Sequence, residues 1–233
     1  FLKKYQKTFY YLCSFLLPVA ILAFILLTQN IYWNSPTTIL ASDGFHQYVI
    51  FAQNLRNILH GQDSLFYTFT SGLGLNFYAL ISYYLGSFLS PFVYFFNLET
   101  MPDAIYLFTL IKVGLMGLSS YYMLTKLYTK LHRALALALS LSYSLMSFAM
   151  SQIEINMWLD VFILAPLIIL GLDRLIKNRK VLLYYLALSL LFIQNYYFGF
   201  MMAIFLVLYS ITLLSRLTTW KERLLSFVRF GFI

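Results

Sequence analysis

Charge is what this chain has least of. Only 10% of its 233 residues are Asp, Glu, Lys or Arg, where soluble domains carry about 25%. That deficit excludes an ordinary soluble domain. Cysteine is scarcer still. The single Cys13 excludes an intrachain disulfide and any cysteine cluster for zinc, and it is silent on redox compartment. Acid is short relative to base, with 8 Asp and Glu against 16 Lys and Arg. The net charge of +8 raises nucleic acid as a partner. The basic residues, however, sit in short clusters between apolar runs, which is orientation signalling in a membrane protein. No aromatic-basic platform for stacking bases accompanies them. No repeat, low-complexity tract or disordered linker is evident either.

What fills the chain is apolar. Hydrophobic residues make up 61% and mean hydropathy is +0.78. The expected fold class is all-α, a polytopic transmembrane helix bundle, with length counted in spans of about 20 residues. Apolar runs fall at 8–28, 77–97, 103–124, 134–150, 158–173, 181–199 and 200–215, with another starting near 225. The stretch 181–215 is too long for one span and divides near Asn195–Gly199. The first run is too long for a signal-peptide core, so it reads as a retained helix. The chain begins without Met and stops at Phe232-Ile233 inside an apolar stretch. It is therefore expected to be the N-terminal membrane region, 1–233, of a longer protein.

Four basic clusters set the orientation. They are Lys3, Lys4 and Lys7; Lys126, Lys130 and Arg133; Arg174, Lys177, Arg179 and Lys180; and Arg216, Lys221 and Arg223. Placing all four inside satisfies the positive-inside rule. The N-terminus is then cytoplasmic. Segments 29–102, 151–157 and about 195–199 lie outside. This requires an even number of crossings between Lys7 and Lys126, so 77–97 must not span. With glycine, serines and Pro91 interrupting it, that run reads as two short interfacial or re-entrant helices broken near Gly86–Pro91.

The polar side chains concentrate outside. Asp43, His46 and Gln47 bring an acid, an imidazole and an amide just beyond the first span. Ser42 or Asp43 can cap a helix beginning at Gly44. Phe45, Tyr48, Val49, Ala52, Leu55, Ile58 and Leu59 then recur at helical spacing, giving an amphipathic helix over 44–60 at the membrane surface. His46 doubles as an ordinary interfacial hydrogen bonder. Ser71-Gly72-Leu73-Gly74 is a turn rather than a phosphate loop, because no Lys-Ser/Thr pair follows. The second outside loop carries Glu154 and Asn156, with Asp160 at or just inside the next helix. An acid at membrane depth is either functional or a partner for a neighbouring polar group. Lys112 stands near the middle of its span, where snorkelling is difficult. Two readings stand for it: an ion pair with Asp160 or Glu154, or a counter-charge for a lipid-linked phosphate. Asn195 marks an outer turn and is a further hydrogen bonder for a site shared with Asp43 and Glu154.

Five stretches resemble the bacterial YfhO family: SDGFHQY, LFYTFTSGLGLNFYALISYYLGS, LIKVGLMGLSSYYML, INMWLDVFILAPLIILGLDRLI and NYYFGF. They keep their order along the chain. The family looks like GT-C glycosyltransferases, which build an active site on the outer face of a helix bundle. They take a sugar from a polyprenyl-phosphate lipid. In Gram-positive bacteria, YfhO-like proteins are associated with glycosylating lipoteichoic acid or related wall polymers. The resemblance therefore implies a sugar transferase of the bacterial cell membrane. Its catalytic carboxylate would be Asp43, with Glu154 as a second acid. Substrate-binding groups would come from His46, Gln47, Arg56, Lys112, Asn156, Asp160 and Asn195. Asp43 would act as general base, and Arg56 or Lys112 would stabilise the departing lipid phosphate. No metal is expected, since a monophosphate donor leaves little charge to neutralise. If one is used, Asp43 and Glu154 would suit Mg²⁺ or Mn²⁺. The expected partners are the lipid-linked donor, an envelope polymer acceptor and membrane lipid, with no nucleic acid. Two rival readings are a transporter or flippase for a lipid-linked sugar and a non-catalytic membrane subunit.

Overall fold

The computed structural model describes residues 2–217 and 219–231. The expectation that rested on Phe232 and Ile233 lies outside them. The described chain is helical, and the pairings Ile31 with Thr37 and Thr68 with Leu75 are single bridges.

Four described helices are long and apolar enough to cross a membrane. They are Tyr5–Thr28 within α1 (Leu2–Thr28), α4 (Met101–Leu127), the stretch Arg133–Ser151 formed by α5 (Arg133–Ser144) and α6 (Ser147–Ser151), and α9 (Tyr196–Leu214). α1 has 27 residues, a rise of about 40 Å that exceeds the ~30 Å hydrocarbon core. Phe9, Leu12, Leu16 and Phe24 remain exposed along it, as side chains facing lipid would. α4 is different: it is largely buried and forms the centre of the bundle.

α7 (Asn156–Asn178) is also central, burying Leu159, Leu164, Ile168 and Leu172 around Pro166. α8 (Leu182–Gln194) has only 13 residues. It rises about 20 Å, short of the hydrocarbon thickness, although the apolar run continues to 199. The helix stops because Asn195 turns extended (φ −158°, ψ 96°) and its side chain accepts a hydrogen bond from the Phe198 amide at 3.1 Å, capping α9 instead. α10 (Trp220–Gly231) begins ahead of the expected 225.

Neighbour contacts fix the helix directions. Tyr11 meets Thr125 at 3.4 Å while Asn34, beyond the far end of α1, donates to Asp103 at the start of α4. α1 and α4 are therefore antiparallel. Asn156 meets Thr109, Asp160 meets Lys112 and Arg174 meets Tyr122, so α4 and α7 run parallel. The ends that carry Lys7, Lys126, Arg133 and Arg174 thus lie together. The 29–100 segment and the loop before α7 lie at the other end.

That segment leaves α1 and enters α4 at the same end, so it does not traverse the bundle. Residues 77–97 form α3 (Phe77–Tyr84) and a short 3₁₀ helix (Ser90–Phe95). The expected helix over 44–60 is split. Gly44–Tyr48 is a π-turn, and α2 runs Val49–Leu59. The wider turn shifts the phase of Phe45 relative to the stripe of α2. Phe45 and Leu59, placed on the apolar face by spacing, are exposed, whereas Asn54 is buried and donates to Thr68 and Thr70. Gln53 donates to the Leu98 carbonyl at 2.9 Å, and His60 stacks on Tyr94 at 4.3 Å, so protein covers part of α2.

Candidate functional site

The bundle's central charges form a closed network. Lys112 projects from α4 toward the first turns of α7, where Asn156 and Asp160 share a face at four-residue spacing. Its ammonium nitrogen lies 2.7 Å from Asp160 Oδ2, 2.6 Å from Asn156 Oδ1 and 2.9 Å from the Asn156 carbonyl. Lysine has three N–H donors, and all three are occupied. Ser87 donates to Asp160 Oδ1 at 3.0 Å, and Asn156 Nδ2 donates to Thr109 Oγ1 at 2.6 Å. Lys112 and Asp160 are each only 1% exposed. Of the readings left open for Lys112, the structure realises the ion pair with Asp160, not with Glu154.

A cavity of about 40 Å³ abuts this network, lined by Tyr48, Tyr84, Ser87, Ser90, Lys112 and Asn156 among others. Ligand pockets are commonly ~300–1,000 Å³, so this one has room for a solvent-sized species but not for a sugar. Tyr48 and Tyr84 form its wall toward the first loop, their rings 5.6 Å apart. Burial raises the Tyr48 phenol well above its ordinary value, and the nearby Tyr84, Tyr83, Asp43 and Glu154 push the same way.

Asp43 itself is exposed at the lip beyond α1. Its position precedes the π-turn, but its side chain makes no capping hydrogen bond. Instead Oδ1 accepts from Gln47 Nε2 at 3.2 Å. The cap expected there is absent because the wide turn begins after a residue already in helical geometry (φ −60°, ψ −24°). Glu154 is half-buried, and its Oε2 has no hydrogen-bond partner. Asn195 Nδ2 and both amide atoms of Gln194 are likewise buried without partners. Gly86 presses on this junction: a Cβ there would stand 2.6 Å from the Gln194 carbonyl oxygen.

The expected site residues thus divide. Asp43 and Gln47 pair on the turn that carries Tyr48, while Glu154 belongs to the loop before α7. Lys112, Asn156 and Asp160 form the buried network. His46 is exposed on the π-turn. Arg56 is engaged elsewhere, donating to the Phe96 carbonyl at 3.0 Å and to Asn57 and Gln62, so it braces the loop. Sequence reasoning missed Tyr48 as a polar group, and it missed Ser87, Thr109 and Gln194 altogether. Ser87 follows Gly86 in an aromatic-rich run and drew no attention. Thr109 stands three residues from Lys112, one helical turn away, and that spacing was the available signal. Gln194 is an amide ending an otherwise apolar run, the same kind of signal that marked Asp160. Among the described residues, no three His, Cys, Asp or Glu side chains gather as a metal site would require.

A model of the family described as bacterial membrane protein YfhO matches residues 14–233. The chain belongs to the YfhO family. It is a membrane protein, as its long apolar helices and its family both indicate. No curated protein and no solved structure matches it.

Proposed function

We propose that this YfhO-family protein is a glycosyltransferase of the bacterial cell membrane. It moves a sugar from a polyprenyl-phosphate-linked donor to an envelope polymer, of which lipoteichoic acid is the type. The loop end of the bundle faces outward and the basic end faces the cytoplasm, as the positive-inside rule requires. The observation that carries the reading is Asp43 itself, a carboxylate exposed at the lip beyond α1 with Gln47 donating to its Oδ1. There, membrane-held donor and external acceptor meet.

In this mechanism Asp43 takes the proton of the acceptor hydroxyl as general base. The hydroxyl oxygen forms a bond to the anomeric carbon. The bond from that carbon to the phosphate oxygen breaks, and the lipid phosphate leaves with the electron pair. Gln47 orients the Asp43 carboxylate. Glu154, Gln194 and Asn195 offer buried polar atoms that sugar hydroxyls would satisfy. Lys112 and Asp160, tied to each other, organise the floor of the site. The reaction runs without a metal in this reading, and transfer in the presence of EDTA is the expected result. Loss of transfer restored by Mg²⁺ or Mn²⁺ would instead assign Asp43 and Glu154 to the ion.

The test is sugar transfer from a defined lipid donor by purified protein and by an Asp43→Asn variant. Transfer by the parent and its loss in a correctly inserted variant support the reading. Movement of lipid-linked sugar across the bilayer without transfer would favour a flippase and overturn it.

A further inference from the structure

The end of the bundle away from Asp43 holds two cavities that adjoin. One, of about 290 Å³, is lined by Lys7 and Tyr11 of α1, Thr125 and Lys126 at the end of α4, and Arg133 at the start of α5. The other, of about 800 Å³, is lined by Leu124, Leu127, Leu131 and Leu139, with Lys130 and Thr129. Tyr128, Thr129 and Leu131 line both. A cationic pocket therefore opens onto an apolar groove.

The charge in that pocket is uncompensated. No Asp or Glu lines it. Among the described residues the ion pairs are Lys112 with Asp160 and Lys177 with Asp173, so none of these three cations is in one. Lys7 and Lys126 rest against tyrosine rings, 6.0 Å from Tyr11 and 5.7 Å from Tyr122. Arg133 donates to a neutral acceptor, Gln6 Oε1, at 3.4 Å. Orientation signalling explains why basic residues collect at this end. It does not explain why three cations from three helices converge on one cavity.

We propose that the paired cavities bind one anionic glycerophospholipid. The phosphate sits among Lys7, Lys126 and Arg133, with the Thr125 and Tyr11 hydroxyls as further donors. One acyl chain lies along the leucine-lined groove. Basic pockets between membrane helices take lipid head groups in this way. A soluble phosphate would use the cations and leave the groove empty, so the adjoining apolar wall selects the lipid. The site is remote from Asp43 and does not depend on the proposed transfer.

Native mass spectrometry of the detergent-solubilised protein tests this directly. Phosphatidylglycerol and phosphatidylcholine are titrated separately. One phosphatidylglycerol should be retained at concentrations where phosphatidylcholine is not. Each near-surface cation contributes about fivefold, so Lys7→Gln/Lys126→Gln/Arg133→Gln should weaken retention by on the order of a hundredfold. Lys126→Gln alone, with about a fivefold loss, carries the same test should the triple variant not fold. The control Arg179→Gln/Lys180→Gln removes charge from the same end outside the cavity and should leave retention unchanged. An equal loss in that control would mean diffuse attraction and would overturn the site. Inorganic phosphate that displaces phosphatidylglycerol at equal concentration would mark a simple anion pocket and would overturn the lipid assignment.

Discussion

At the scale of single residues, the chain's acids do opposite things because their surroundings differ. Asp160 is enclosed and paired with Lys112 at 2.7 Å. Removing one member leaves a buried charge uncompensated, at a cost of about 3–5 kcal/mol, whereas replacing both with apolar residues is often neutral. Lys112→Met should therefore lower the unfolding temperature sharply, and Lys112→Met/Asp160→Leu should recover most of the loss. Additive losses in that double-mutant cycle would disprove the coupling. Asp43 is exposed, and exposed substitutions usually shift stability by under ~0.5 kcal/mol. Asp43→Asn should leave melting unchanged while transfer disappears. Tyr48 gives a pH signature. Burial and its neighbours raise the folded phenol above its ordinary value. The unfolded phenol loses its proton near pH ~10, so above that pH the folded state holds more protons. Stability is then full below about pH 10 and falls as pH rises beyond it. Tyr48→Phe should make that fall shallower in a pH-jump unfolding series.

At the scale of elements, close backbone approach decides the packing. A Cβ at Gly117 of α4 would stand 2.2 Å from the Ser14 carbonyl oxygen of α1, and one at Gly114 would stand 2.7 Å from the Phe15 ring. Small residues at such crossings let membrane helices pack by contact, which is what holds them where lipid supplies no hydrophobic drive. Gly117→Val should separate α1 from α4 and cost about 1–3 kcal/mol, the usual range for overpacking. Thermal unfolding reads this, and a melting temperature equal to the parent's would refute it. Gly86 plays the same part between α3 and α8, where it meets backbone rather than a yielding side chain. The first loop shows how local spacing misleads. Its apolar stripe was legible, but a π-turn at Gly44–Tyr48 interrupts it, and Asn54 is buried because Thr68 and Thr70 pack on it.

At the scale of the whole molecule, the basic helix ends and the acid-bearing loops occupy opposite ends of one bundle. With Cys13→Ser as background, single cysteines at Gln62 and Ser151 should react with an impermeant thiol reagent in intact cells. Those at Thr129 and Asn178 should react only after permeabilisation. Labelling of Thr129 from outside would invert the proposed orientation and remove Asp43 from the outer face.

Composition alone determined that this is an all-helical membrane chain, because so little charge and so much apolar surface leave few alternatives. The charge clusters determined which helix ends group together, and the polar residues outside the apolar runs pointed to Asp43 and Glu154. Helix direction and partner choice were beyond it. Whether Lys112 met Asp160, Glu154 or a ligand depended on which face of α4 met α7, and residues 44 positions or more apart in sequence had to be brought together. The same holds for Ser87, Thr109 and Gln194, whose polarity is ordinary until neighbours exclude water from them. The cationic cavity needed three helices to converge. Pattern along one chain reports on one helix at a time, and only packing decides what its polar groups face.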